Sequence, residues 1–313
     1  MMSQQLSIMT QQGMIYTHEK SASFMSKFLD FTFKLIGLKK VLGRTLSDLE
    51  NVKNDPAPPT NSVKKACNIQ EESFGERTLW TLSPKNGTSE KAIFYIHGGG
   101  YVVNMAFLQW DYLAKVVEET QATIMVPDYP LAPQSNAEEA FEYLHKLYNI
   151  FLDRYAGKEV LILGDSAGAG LAISFAQYLN EVNLPQPEKL ILLSPWLDVS
   201  LTNPDIQDVI PKDSSLEINS LQKAGRLWAG KLDIKDPKVS PIYGRFDNIA
   251  KISIFMGTAE IFVSDARKLV EKLQKENIPF HYYEYPDMPH CWILLPMPES
   301  KLALAQLMKE INE

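Results

Sequence analysis

At 313 residues the chain exceeds the usual single domain, and 45% hydrophobic with 22% charged residues suits a soluble globular protein with a large core. A net charge of −7 argues against a nucleic-acid binder, which would carry a basic surface. Two cysteines, Cys67 and Cys291, give no disulfide framework, and the opening Met-Met-Ser-Gln-Gln lacks the regions of a secretory signal, so a cytoplasmic setting is expected.

Taken in chain order, residues 21–50 read as amphipathic helix, rich in Phe24, Phe28, Phe31, Phe33, Leu35 and Ile36. From Ser21 to Arg44 five basic residues stand against one acidic, Asp30, a net of +4 that would suit a helix lying on a membrane surface. The interspersed lysines exclude a transmembrane helix. Asn54-Asp55-Pro56-Ala57-Pro58-Pro59 then reads as a linker. Beyond it, apolar runs alternate with amphipathic stretches, the βαβ signature of a mostly parallel sheet covered on both faces. Strands are expected near 63–71, 77–83, 91–97, 123–127, 159–164, 189–194, 251–257 and 279–284, the first two forming a hairpin through Phe74-Gly75. Helices are expected near 105–119, 136–154, 167–182, 264–276 and 299–311. Residues 199–240 interrupt the alternation and hold a further helix near 217–231.

Two motifs carry chemistry. The apolar run Val160-Leu161-Ile162-Leu163 ends in Gly164-Asp165-Ser166-Ala167-Gly168, followed by small residues that open a helix. Strand, sharp turn and helix around Gly-x-Ser-x-Gly is the setting of a nucleophile elbow, which lifts a serine hydroxyl to the end of a sheet. The strand Lys91–Ile96 ends in His97-Gly98-Gly99-Gly100, whose unshielded backbone amides can approach an anionic oxygen. With the amide of Ala167, those of Gly98 and Gly99 are expected to form an oxyanion hole, and His97 to brace the loop.

These motifs, together with Asp128-Tyr129-Pro130-Leu131-Ala132-Pro133, Ser194-Pro195-Trp196-Leu197-Asp198 and Ser240-Pro241, resemble the hormone-sensitive-lipase family of α/β-hydrolases in its bacterial carboxylesterase branch, over roughly residues 62–313. The resemblance implies an α/β-hydrolase fold: a mostly parallel eight-stranded sheet with helices on both faces and a helical cap. It divides the chain into an N-terminal cap segment and linker, 1–61, and a catalytic domain, 62–313, with 199–240 as a cap insertion over the active site. A cap uses the same aromatic stripe that a membrane helix would, and is the stronger reading of 21–50. Pro130 stands where the family carries Arg, and Cys291-Trp292 follows His290 where the family has Gly-Phe. Both departures bear on substrate preference and packing rather than on the reaction.

In this fold the triad runs serine, acid, histidine along the chain. Only His281 and His290 follow Ser166; His281 lies inside an aromatic strand, whereas His290 follows the loop Pro286–Pro289, so His290 is the expected base. Glu260 stands at the end of the strand 251–257, where the family carries its Asp. Asp265, the rival, reads as a first-turn acid of the next helix. The expected chemistry is two-step ester hydrolysis through an acyl-Ser166, with no metal and no cofactor. The expected partner is a small-molecule ester, with no nucleic acid, a weak membrane-surface contact of the N-terminal helix and a homodimer left open. Other readings on the same machinery are an arylformamidase, amidase or small-metabolite deacetylase, a lipase, or a non-catalytic ligand-binding member, against which His290 weighs.

Overall fold

The computed structural model describes residues 7–10, 13–47, 55–87 and 90–313. Among these, one sheet is built from β1 (Ser7–Thr10), β2 (Gly13–Thr17), β3 (Cys67–Phe74), β4 (Arg77–Pro84), β5 (Lys91–Ile96), β6 (Thr123–Pro127), β7 (Glu159–Asp165), β8 (Lys189–Leu193), β9 (Lys251–Gly257) and β10 (Phe280–Tyr285). Its order is β1-β2-β10-β9-β8-β7-β5-β6-β4-β3. From β2 to β6 the neighbours are parallel; β1 and the β3–β4 hairpin are antiparallel additions at the two edges. The helices are α1 (Phe24–Leu35), α2 (Leu38–Ser47), α3 (Asn61–Ala66), α4 (Phe107–Thr120), α5 (Ala137–Arg154), α6 (Ser166–Glu181), α7 (Ile218–Ala229), α8 (Val263–Glu276) and α9 (Pro298–Asn312).

The central strands are short, mostly apolar runs buried on both faces, as a parallel sheet between two helical layers requires. Side chains alternate between the layers. In β5, Ala92, Phe94 and Ile96 join the core under α5, α6 and α8, while Ile93 and Tyr95 join the core under α4 and α9.

The eight expected strands are present, with two more at the amino terminus. Residues 13–17, expected as part of a cap segment, instead extend the sheet: Gly13–Thr17 pairs in parallel with Phe280–Glu284. Five residues beside glutamines and threonines carry little periodic signal, and the partner strand lies far along the chain. Residues 63–66 are also corrected, from strand to helix. Thr60 caps α3 by accepting a hydrogen bond from the Val63 amide at 3.4 Å, so the strand starts at Cys67.

The described part of the expected helical stretch 21–50 forms two helices, Phe24–Leu35 and Leu38–Ser47. They are broken at Gly37, whose φ of +68° is left-handed. The Ser23 amide and the Ser26 hydroxyl each donate at 2.5 Å to the Glu299 carboxylate, tying α1 to α9. α2 packs on α7. The Trp228 ring of α7 stacks on Tyr101, centroids 4.4 Å apart and planes within 6°. The last residues of the expected helical stretch, 48–50, and the start of the linker lie outside the described residues.

Candidate active site

Five adjacent strands deliver the site from their carboxyl ends, where open parallel sheets place their ligands. β5 leads to the glycine loop, β7 to Ser166, β8 to Ser194, β9 to Glu260 and β10 to His290. Ser166 opens α6 with φ of +52°, a left-handed conformation that costs a non-glycine residue energy and is held by its surroundings. The turn leaves no space for side chains. A Cβ at Gly168 would lie 2.1 Å from the Ile96 carbonyl oxygen.

The Ser166 Oγ lies 2.8 Å from His290 Nε2, and His290 Nδ1 lies 2.6 Å from Glu260 Oε2. In the resting state Nδ1–H donates to the carboxylate and Nε2 accepts from the serine hydroxyl. Glu260 is fully buried. Its other oxygen accepts from the Ser194 hydroxyl at 2.7 Å and from the Gly257 amide at 3.1 Å. Burial pushes the Glu260 carboxyl above its ordinary value, although His290 and these donors oppose it. Burial also disfavours the His290 imidazolium, but the Cys291 sulfur and the Glu260 carboxylate outweigh it and hold the ring well above its ordinary value. The Cys291 thiol is itself raised by burial and uncharged at neutral pH, so the carboxylate is the lasting cause.

Asp265 is not part of this chain of bonds. It sits in the first turn of α8, buried, and accepts from the Asn203 side-chain amide at 2.9 Å. Burial raises its carboxyl to about 6. His281, in β10, lies with Nδ1 2.5 Å from Glu310, on the far end of the sheet from Ser166.

The glycine loop departs from expectation at one atom. The Gly98 amide donates to Asp165 Oδ1 at 2.9 Å and is not free for an oxyanion, which corrects the reading of Gly98 as a hole donor. That oxygen also accepts from the Tyr95 hydroxyl at 2.5 Å, and Gln109 Nε2 lies 3.0 Å from its twin Oδ2. His97 Nδ1 donates to the Gly98 carbonyl at 2.7 Å. Because carbonyl and following N–H point opposite ways across a trans peptide, this turns the Gly99 N–H away from His97. Gly99 has φ of +128° and a Cβ there would lie 2.0 Å from the Val103 carbonyl oxygen, so only glycine fits. Gly100 follows in the same loop and borders the same pocket as Gly99. The Ala167 amide lies in the first turn of α6, where helix amides have no intrahelical acceptor.

A pocket of about 470 Å³ opens over Ser166 and His290. Its walls are mostly apolar: Phe33 and Leu42 from the N-terminal helices, Leu216 and Leu221 at the start of α7, Val103 and Leu108, and Leu294 and Leu295 beyond His290. Sequence reasoning missed two contributors. Ser194 was visible only as part of Ser-Pro-Trp with no role attached, and Gly100 only as the last glycine of its run. Among the described residues no group of three or more His, Cys, Asp or Glu side chains could hold a metal ion, and no helix is long and apolar enough to cross a membrane.

A family model described as the alpha/beta hydrolase fold matches residues 93–294. The chain belongs to the α/β-hydrolase family. Curated relatives of this hydrolase include an esterase of Acinetobacter venetianus, 29% identical over 224 residues, covering 70% of this chain and 74% of the relative. A triacylglycerol lipase of Mycobacterium tuberculosis is 27% identical over 260 residues, covering 83% of this chain; the match spans about half of the lipase, 54%. Among solved structures, EstE5 soaked with p-nitrophenyl butyrate superposes with a TM-score of 0.74 at 25% identity, covering 89% of this hydrolase and 97% of EstE5. A hormone-sensitive lipase from a metagenome library shares the fold with a TM-score of 0.80 at 21% identity, covering 94% and 99%.

Proposed function

We propose that the protein is a serine carboxylesterase that hydrolyses short-chain carboxylic esters through Ser166, His290 and Glu260. The observation that carries this reading is the unbroken hydrogen-bonded line from Ser166 Oγ through the imidazole to the buried Glu260 carboxylate, at 2.8 and 2.6 Å. His290 takes the Ser166 proton as the oxygen attacks the ester carbonyl, and Glu260 stabilises the imidazolium that forms. The tetrahedral oxyanion is held by the amides of Gly99, Gly100 and Ala167, with His97 and Asp165 fixing the loop against the elbow. The imidazolium gives its proton to the departing alcohol, leaving an acyl-Ser166. Water, deprotonated by the same histidine, then releases the acid.

Cys291 is the competing nucleophile. Its Sγ lies 3.5 Å from His290 Nε2 against 2.8 Å for Ser166 Oγ, and its raised thiol gives little thiolate. A pocket of this size lined by leucines suits a small ester with an apolar acyl or alcohol group. Both cysteines are free thiols, in keeping with a reducing, cytoplasmic setting. Rates over p-nitrophenyl esters from acetate to palmitate, beside an anilide and an N-formyl substrate, test the reading. Highest kcat/KM on the short esters supports it. A preference for the amide, or a sharp rise above the solubility limit of a long-chain ester, overturns it.

A further inference from the structure

The N-terminal helices leave an apolar face uncovered. In α1, Phe24, Phe28, Phe31 and Leu35 recur at helical spacing on one side and are 87%, 61%, 60% and 75% exposed. The opposite side, Ser26 and Leu29, is the one turned toward the body of the protein, so the phenylalanine stripe faces away from it. A stripe of three phenylalanines and a leucine in water is costly and, on a soluble domain, marks a contact surface. The exposure continues through Ile36 and, past the break at Gly37, through Val41 to Leu42. Leu42 and, across the opening, Leu108 are both partly exposed and part of the active-site pocket wall, so the outer apolar surface and the pocket lining are continuous.

Charge identifies the occupant. The whole chain carries −7, yet residues 21–44 carry five basic residues and one acid. Lys34 pairs with that acid, Asp30, at 2.8 Å, while Lys27, Lys40 and Arg44 stand exposed. An aromatic stripe flanked by lysines is the composition of a helix that lies in the headgroup region of an anionic bilayer. The same charge weighs against a twofold dimer through this face, because it would set the two basic segments against each other.

We propose that α1 and α2 dock the protein on anionic lipid surfaces, with Phe24, Phe28 and Phe31 inserted among the acyl chains and Lys27, Lys40 and Arg44 on the headgroups. The pocket mouth then faces the lipid, and short-chain esters that partition into the membrane reach Ser166 without crossing water. The last point rests on the esterase reading; docking itself does not.

Docking is tested by flotation of the full chain with large unilamellar vesicles of phosphatidylcholine alone or with 30% phosphatidylglycerol, in low and high salt. The partner variant is Phe28→Ser/Phe31→Ser, with its thermal melt and its hydrolysis of soluble p-nitrophenyl butyrate measured alongside. Expected are binding to the anionic vesicles only, weakening in high salt, and at least a tenfold loss of binding in the variant, whose melt and soluble hydrolysis stay unchanged. Absence of binding, equal binding to both vesicle types, or full binding by the variant would each overturn the proposal. So would concentration-dependent dimerisation that the variant abolishes. Binding is read without turnover, so a failed esterase assay leaves this result standing on its own.

Discussion

The Ser194 hydroxyl donates to the Glu260 oxygen that His290 does not use, at 2.7 Å, and accepts the Cys291 amide at 3.2 Å. One side chain at the end of β8 thus joins the acid on the β9 loop to the residue following the base on the β10 loop. Ser194→Ala should lower kcat about tenfold with little change in KM, since a carboxylate missing one donor points less firmly at the imidazole. Steady-state kinetics with a melt check this; unchanged kcat would assign Ser194 to stability alone.

Ser166→Ala should leave a folded protein whose kcat falls by about 10⁴-fold or more. A fluorophosphonate label should map to Ser166 by peptide mass spectrometry. A label on Cys291 would instead make the thiol the nucleophile.

Glu260→Gln should lower kcat by about 10³- to 10⁴-fold with KM little changed, because the carboxylate acts as the imidazolium develops. Asp265→Asn should leave kcat within about twofold. Loss of turnover in a stable Asp265→Asn protein would exchange the two acids.

The pH profile follows from the same pair. The proposed mechanism needs His290 neutral, and its pKa is held above the ordinary histidine value of about 6.5, so kcat/KM should fall as pH drops through a midpoint above that value. Glu260→Gln removes the charge that favours the imidazolium, and the midpoint of its residual activity should move to lower pH. A midpoint that stays in place would trace the limb to another group.

Asp265 makes a stability prediction of the opposite sign from the usual carboxylate. Its folded value, about 6, lies above the 3.8 of an ordinary Asp, so the folded state favours the protonated form and the cost of the buried charge is felt above pH 6. The two-unit shift corresponds to about 3 kcal/mol at most. Asp265→Asn should therefore raise the melting temperature at pH 8 and lose that advantage near pH 4. Equal melting shifts at both values would refute the burial argument.

The sequence singled out Ser166, His290 and Glu260, which the structure brings into one hydrogen-bonded line, because the fold leaves few options there: one elbow serine, two downstream histidines, and an acid at a strand end. Apolar runs located the central strands because they are buried on both faces and almost wholly apolar. What escaped was set by partners distant in sequence. Nothing in Gly13–Thr17 announces a strand until β10 lies beside it, and nothing in His-Gly-Gly-Gly says that Asp165 will claim the first glycine's amide. The break at Gly37 was readable in principle, since a glycine inside a helical pattern is a weak point.

The pairing of β2 with β10 also bears on solubility. β10 leads directly into the loop that carries His290, and the N-terminal strands cover the edge it would otherwise present. A chain trimmed to residue 18 would leave a row of unpaired amides and carbonyls on a strand holding Tyr282, Tyr283 and Tyr285, a template for strand-to-strand association between molecules. The amino-terminal stretch that looks like a dispensable tail thus acts as a guard rail against self-association beside the loop that carries His290.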